Sequence, residues 1–86
     1  MRISVELTLT PLNNEYKSDI VYFINELRSS KFKLIETPLS TQIYGDYDEL
    51  MPFLNATIKE IFKKTEHSMI HMKIINSDRS DYVADF

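Results

Sequence analysis

The chain has 86 residues, 43% of them hydrophobic and 27% charged, which fits one globular domain and excludes both a two-lobed enzyme and a disordered segment. It contains no cysteine, so disulfides, thiolate metal sites and thiol nucleophiles are excluded and the small core has no covalent staple. The net charge is −3 and the basic residues are scattered apart from Lys59, Lys63 and Lys64, a distribution that argues against nucleic acid as a partner.

Ile3 to Thr10 alternates apolar and polar side chains, the period-two signature of a strand with one buried face: Ile3, Val5, Leu7 and Leu9 on one side, Ser4, Glu6 and Thr8 on the other. Pro11 to Asn14 breaks the alternation, and either asparagine can cap a helix. In that helix Tyr16, Ile20, Phe23, Ile24 and Leu27 recur at spacings of three and four and form a buried stripe. Its run Ile20 to Ile24, the longest unbroken apolar stretch, has five residues where a bilayer span needs about 20. No membrane span and no export signal is recognised, and a cytoplasmic protein is expected.

Phe32 to Thr37 reads as a strand, Thr37-Pro38-Leu39-Ser40 as a turn, and Thr41 to Tyr44 as the returning strand of a hairpin. Gly45, the single glycine, closes that strand and marks either an unusual backbone angle or a close approach. Asp46 and Glu49 have the spacing of a capping box ahead of a second helical stripe, Leu50, Phe53, Leu54, Ile58, Ile61 and Phe62. Pro52 predicts a bend or a start near Asp48. Ser68 to Ile75 is the last strand, with Ile70, Met72 and Ile74 on one face and Met69, His71, Lys73 and Ile75 on the other. Asn76 to Phe86 reads as a polar, acidic, loose tail, so residues 1–76 form the domain and 77–86 an appendage.

The order strand, helix, strand, strand, helix, strand predicts an α+β, ferredoxin-like βαββαβ sandwich, a four-stranded antiparallel sheet with both helices on one face. The other face is bare and half apolar, with Met69, Ile75 and Tyr44 on it, and a second copy is expected to cover it.

No phosphate loop, nucleophile elbow, zinc-protease helix or paired carboxylate motif occurs, and the chain is not expected to be an enzyme. His67 and His71 straddle the junction of a loop and a strand without a third ligand, so no metal site is expected. Glu6 is the informative residue, because a carboxylate in the middle of a sheet needs a cation or a donor. That partner is either Lys73 on a neighbouring strand or the amino group of a ligand. Ser40, Thr41 and Tyr44 add hydroxyls near the hairpin.

The opening I-S-V-E-L-T-L-T-P-L, the central E-T-P-L-S-T-Q-I-Y-G-D-Y-D-E-L and the closing M-K-I-I-N-S-D-R-S-D together resemble the thiamine-binding YkoF-like family and its single-domain relatives. The most specific part is L-S-T-x-x-x-G-D, Leu39 to Asp46, together with Glu6. The resemblance implies a ferredoxin-like fold, association through the sheet into homodimers or homotetramers, and cytoplasmic binding of thiamine or its hydroxymethyl-pyrimidine part without catalysis or cofactor. The positions it carries over are Glu6, Ser40 and Thr41, with Gly45 as a backbone requirement; Tyr44 would be a stacking surface. Pro52 and a short C-terminal segment depart from the family pattern. The competing expectation is an oligomerisation or regulatory module on the same fold, since this topology hosts many functions. An acylphosphatase-like enzyme or an RNA-recognition domain lacks its anion loop or its aromatic motif here.

Overall fold

A computed structural model describes all residues, 1–86, as six elements: β1 (Arg2–Pro11), α1 (Tyr16–Arg28), β2 (Lys33–Glu36), β3 (Thr41–Asp46), α2 (Tyr47–Lys64) and β4 (Ser68–Ile75). The four strands form one antiparallel sheet in the order β2-β3-β1-β4, the ferredoxin-like βαββαβ arrangement. The period-two reading of β1 holds: Ile3, Val5, Leu7 and Leu9 are buried under the helices. They meet Phe23 and Leu27 of α1, Ile43 of β3, and Leu50, Leu54 and Ile61 of α2 in one apolar cluster.

Both helices differ in detail from their sequence patterns. In α1 only Phe23 and Leu27 are buried, while Tyr16 is exposed. Neither asparagine is the cap. Glu15 holds that position without a side-chain bond, and Asn13 instead accepts from the Glu15 N–H at 2.7 Å in a turn just ahead of the helix. In α2, Asp46 does cap, accepting from the Asp48 N–H at 3.1 Å. Glu49 does not close the box, since it reaches out to Lys31. The helix starts at Tyr47 and runs through Pro52, which forfeits only the bond to the Asp48 carbonyl. Thr57 takes a buried place on the stripe by returning its hydroxyl to the Phe53 carbonyl at 2.9 Å, and Phe62 lies outside the core.

Gly45 lies inside β3 rather than after it, paired with Ile3. Its φ is not positive, so of the two reasons for a glycine the close approach is the operative one. A Cβ there would stand 2.6 Å from Cδ1 of Phe32. That ring sits in the gap between Gly45 and Phe53, with its centroid 5.4 Å from that of Phe53.

Candidate functional site on the open sheet face

The strand register orders the open face into rows. Cross-strand partners project to the same side, so Lys33, Tyr44, Ser4 and Ile75 form one row, Ile35, Gln42, Glu6 and Lys73 the next, and Thr8 with His71 a third. Met69 lies beyond, opposite Thr10.

The middle row holds the polar group. Ser40 Oγ donates to Glu6 Oε2 at 2.9 Å and accepts from Gln42 Nε2 at 3.0 Å. The turn before β3 aims that hydroxyl. Thr37 donates its N–H and its hydroxyl to the Ser40 carbonyl, both at 3.0 Å, and its hydroxyl oxygen accepts from the Leu39 and Ser40 N–H groups. The run T-P-L-S therefore closes on itself and delivers Ser40 beside β1. The other carboxylate oxygen, Oε1, stands 3.8 Å from Lys73 Nζ, with the lysine 84% and the glutamate 39% exposed. An exposed pair at that separation contributes little, so one face of the carboxylate is anchored and the other is accessible from solvent.

The four candidate residues divide. Glu6 and Ser40 are together. Thr41 follows Ser40 and so projects to the opposite, helix-covered face, level with Leu7. There it is buried and lines a cavity of about 290 Å³ with Leu9, Phe23, Ile24 and Leu39. Tyr44 is on the open face but one row away from Glu6, and it is 6% exposed. Gln42, which sequence reading passed over, is the third member of the group. Its signal was available in its parity: two residues after Ser40, on the face of Glu6.

What buries Tyr44 is the C-terminal segment. Ser4 donates to the Ser77 carbonyl and accepts from the Arg79 N–H, both at 2.8 Å. Arg2 Nε meets Asp78 at 2.9 Å, and Lys33 Nζ meets Asp81 at 3.4 Å. Ser4 and Lys33 are the two cross-strand neighbours of Tyr44, so the segment crosses the tyrosine on its way between them. Residues 77–81 are thus docked on the sheet, where polar composition alone suggested a loose tail. Asp78 is held far below the usual carboxylate range, first by the Ser80 side-chain and backbone donors and then by Arg2. Burial pushes the Tyr44 hydroxyl up, against the opposing pull of Lys33.

His71 occupies the open face opposite Thr8, while His67 lies before β4, and no three His, Cys, Asp or Glu side chains gather around either. No helix is long and apolar enough to cross a membrane.

No protein-family model and no curated protein matches the chain by sequence. Solved structures match its fold. A protein of Streptococcus pneumoniae superposes with a TM-score of 0.84 at 23% identity over 94% of this chain and 92% of its own. A Thermotoga maritima protein described as a candidate for thiamine biosynthesis or salvage gives 0.81 at 15% identity over 90% and 85%. A domain of unknown function from Bacillus cereus gives 0.75 at 14% identity over 90% and 77%.

Proposed function

We propose that this protein binds, without catalysis, a thiamine-like or other aminopyrimidine-bearing small molecule in the cytoplasm, with Glu6 and Ser40 as the recognising pair and Gln42 as their support. The observation that carries this reading is the anchored, half-open Glu6 carboxylate. Its Oε2 is oriented by Ser40 and its Oε1 faces solvent beside a loosely held lysine, so an incoming amino group or cation displaces only a weak partner. A carboxylate held in place loses little freedom on binding, and its bonds to a charged or amino donor are charge-assisted. The resemblance at Leu39 to Asp46 and the fold shared with the Thermotoga protein support the same ligand class.

In this reading Thr41 acts from beneath, shaping the hairpin rather than touching the ligand, and Tyr44 offers its ring for stacking only when residues 77–81 are lifted. Association through the sheet face into a homodimer or homotetramer belongs to the same proposal, restricted to the rows from Glu6 to Met69 that the C-terminal segment leaves bare. The competing reading, an association module without such a ligand, is favoured by one observation: Met69 and Ile75 are 43% and 48% exposed on that face.

Titration calorimetry with thiamine and with hydroxymethyl-pyrimidine decides between them. Glu6→Gln keeps the shape and removes the charge, and the loss of about 1.5 to 3 kcal/mol of charge-assisted bonding predicts a tenfold or greater drop in affinity. Lys73→Met removes the competing cation and should leave affinity equal or higher. Equal affinity in wild type and Glu6→Gln, or no binding heat in the wild type, overturns the ligand assignment.

A further inference from the structure

We infer that Arg2, Lys33 and Tyr44 form an anion-binding subsite for a phosphorylated ligand, held closed by residues 77–81, whose Asp78 and Asp81 carboxylates occupy the places of phosphate oxygens. The inference rests on the binding reading for the amino end of that ligand at Glu6; for the anionic end it stands on its own.

The covering segment has the composition of a latch rather than of a core layer. Ser77, Asp78, Arg79, Ser80 and Asp81 include no apolar side chain, and Tyr82 and Val83 beyond them stay exposed. The segment is held by the two bonds of Ser4 and by Arg2 and Lys33. Contacts of that kind exchange with water and with ions, whereas apolar burial does not. Yet what they close off is an aromatic ring on the open side of the sheet.

Both cations are under-used. Arg28 shows a closed fork, with Nε and Nη2 each 2.8 Å from Glu36. Arg2 instead gives Asp78 a single bond, from Nε at 2.9 Å. Lys33 Nζ is 3.4 Å from an Asp81 carboxylate that is 96% exposed. Asp46, the cross-strand neighbour of Arg2, is engaged elsewhere: it takes the amino terminus at 3.3 Å and the Asp48 N–H at 3.1 Å. The Arg79 guanidinium bonds within the segment, to Ser77 Oγ at 3.0 Å, so it is the two carboxylates that meet the cations of the sheet. A guanidinium with donors to spare and a loosely paired ammonium suit a phosphate, which brings nearly two charges and three acceptor oxygens in one group.

The register sets the length of the ligand. Lys33, Tyr44 and Ser4 share one row, and Glu6 lies in the next. With strands about 4.8 Å apart and alternate residues about 6.8 Å apart, Cα of Lys33 is about 12 Å from that of Glu6, and Tyr44 is the diagonal neighbour between them. Burial pushes the Tyr44 hydroxyl up, and Lys33, Asp78 and Glu6 act on it besides, as expected of a ring set among the three. An amino group at Glu6, a ring over Tyr44 and a phosphate at Lys33 and Arg2 thus fit one molecule about 10 Å long. The phosphate competes with the two aspartates and opens the latch, while a ligand without one finds Tyr44 covered and binds only in proportion to the open fraction.

Inorganic pyrophosphate is the probe for the subsite, used on the full chain. It should accelerate exchange of the Arg79 amide, which bonds to Ser4, beyond the effect of sodium chloride at equal ionic strength. Asp78→Asn with Asp81→Asn should tighten pyrophosphate about tenfold by releasing the latch. Glu15→Gln with Glu66→Gln makes the same change of net charge at the opposite end of the sheet and should not. Arg2→Gln with Lys33→Gln should abolish pyrophosphate binding, and the phosphate ester of hydroxymethyl-pyrimidine should bind about tenfold or more tightly than the free alcohol. Equal exchange in pyrophosphate and chloride, an affinity shared by the two acidic double variants, or pyrophosphate binding that survives the loss of Arg2 and Lys33 overturns the inference. Pyrophosphate reports on the anion subsite alone, so a failure of the ligand reading at Glu6 shows separately, as absent binding heat with hydroxymethyl-pyrimidine.

Discussion

The two faces of β1 are made from alternate residues of one strand and are held by different physics. On the helix side Ile3, Val5, Leu7 and Leu9 meet side chains from every other layer of the fold and are at most 9% exposed. On the open side Ser4 and Glu6, two residues apart, have unlike neighbours: Ser4 lies under the docked C-terminal segment, while Glu6 is held by one serine and left half open. Apolar burial is non-directional and spreads over a whole face. Polar contacts act one donor and one acceptor at a time, so the same face can be closed at one row and available at the next.

Leu7→Ala should break the helix side most severely. A fully buried leucine lost from a packed core costs about 2 to 5 kcal/mol, read as a large fall in the denaturation midpoint at unchanged m-value. Gly45→Ala should cost less, about 1 to 3 kcal/mol by overpacking, since the new methyl must move the Phe32 ring and no backbone strain is involved. Phe32→Leu in the same chain should return part of that loss. A Gly45→Ala protein as stable as wild type would show that the ring has room to turn.

Ser4→Ala tests the open side. It removes a donor and an acceptor from the C-terminal segment, and because the segment can lift and hydrate its freed groups, the cost falls near the low end of about 1 to 3 kcal/mol. Exchange of the Arg79 amide should accelerate, and the Tyr44 hydroxyl should titrate closer to an ordinary tyrosine as water reaches it. Unchanged Arg79 exchange would show that the salt bridges hold the segment alone.

The smallest effect is expected from acidification. Asp78 has its folded pKa depressed, so its stabilising contribution is fully present above the ordinary carboxylate value of about 4 and is lost progressively below it, the loss being complete once pH has fallen through the folded value. Arg79 amide protection should persist from neutrality to below pH 4 by about a unit or more, and Asp78→Asn should weaken it at every pH. Loss of protection already near pH 5 would assign the contact to other groups.

Much of this architecture was legible in the chain. Alternation along Ile3 to Leu9 identified the buried side of β1, the parity of β4 distributed its residues between the two faces, and the run T-P-L-S marked the turn of the hairpin. These features are local, because a strand's period and a turn's hydrogen bonds are set by a few neighbouring residues. The pairing of Glu6 with Lys73 was a sequence alternative that the register makes real, though loosely. Gln42 was missed although its parity put it on the same face as Ser40; that this face is also the face of Glu6 follows only from the pairing of β1 with β3.

Three things were decided only in three dimensions. Thr41 and Ser40 are neighbours in sequence, yet the pleat sends them to opposite faces, so hydroxyls that looked like one cluster never meet. The need for glycine at 45 comes from the Phe32 ring, which reaches it across the hairpin rather than through any local angle. The C-terminal segment docks through contacts spanning more than 70 positions, Ser4 with Ser77 and Arg79 and Arg2 with Asp78. A serine or an aspartate in a polar run looks the same whether it is solvated or bound. Its partner is named by where the chain returns, and that is a property of the fold.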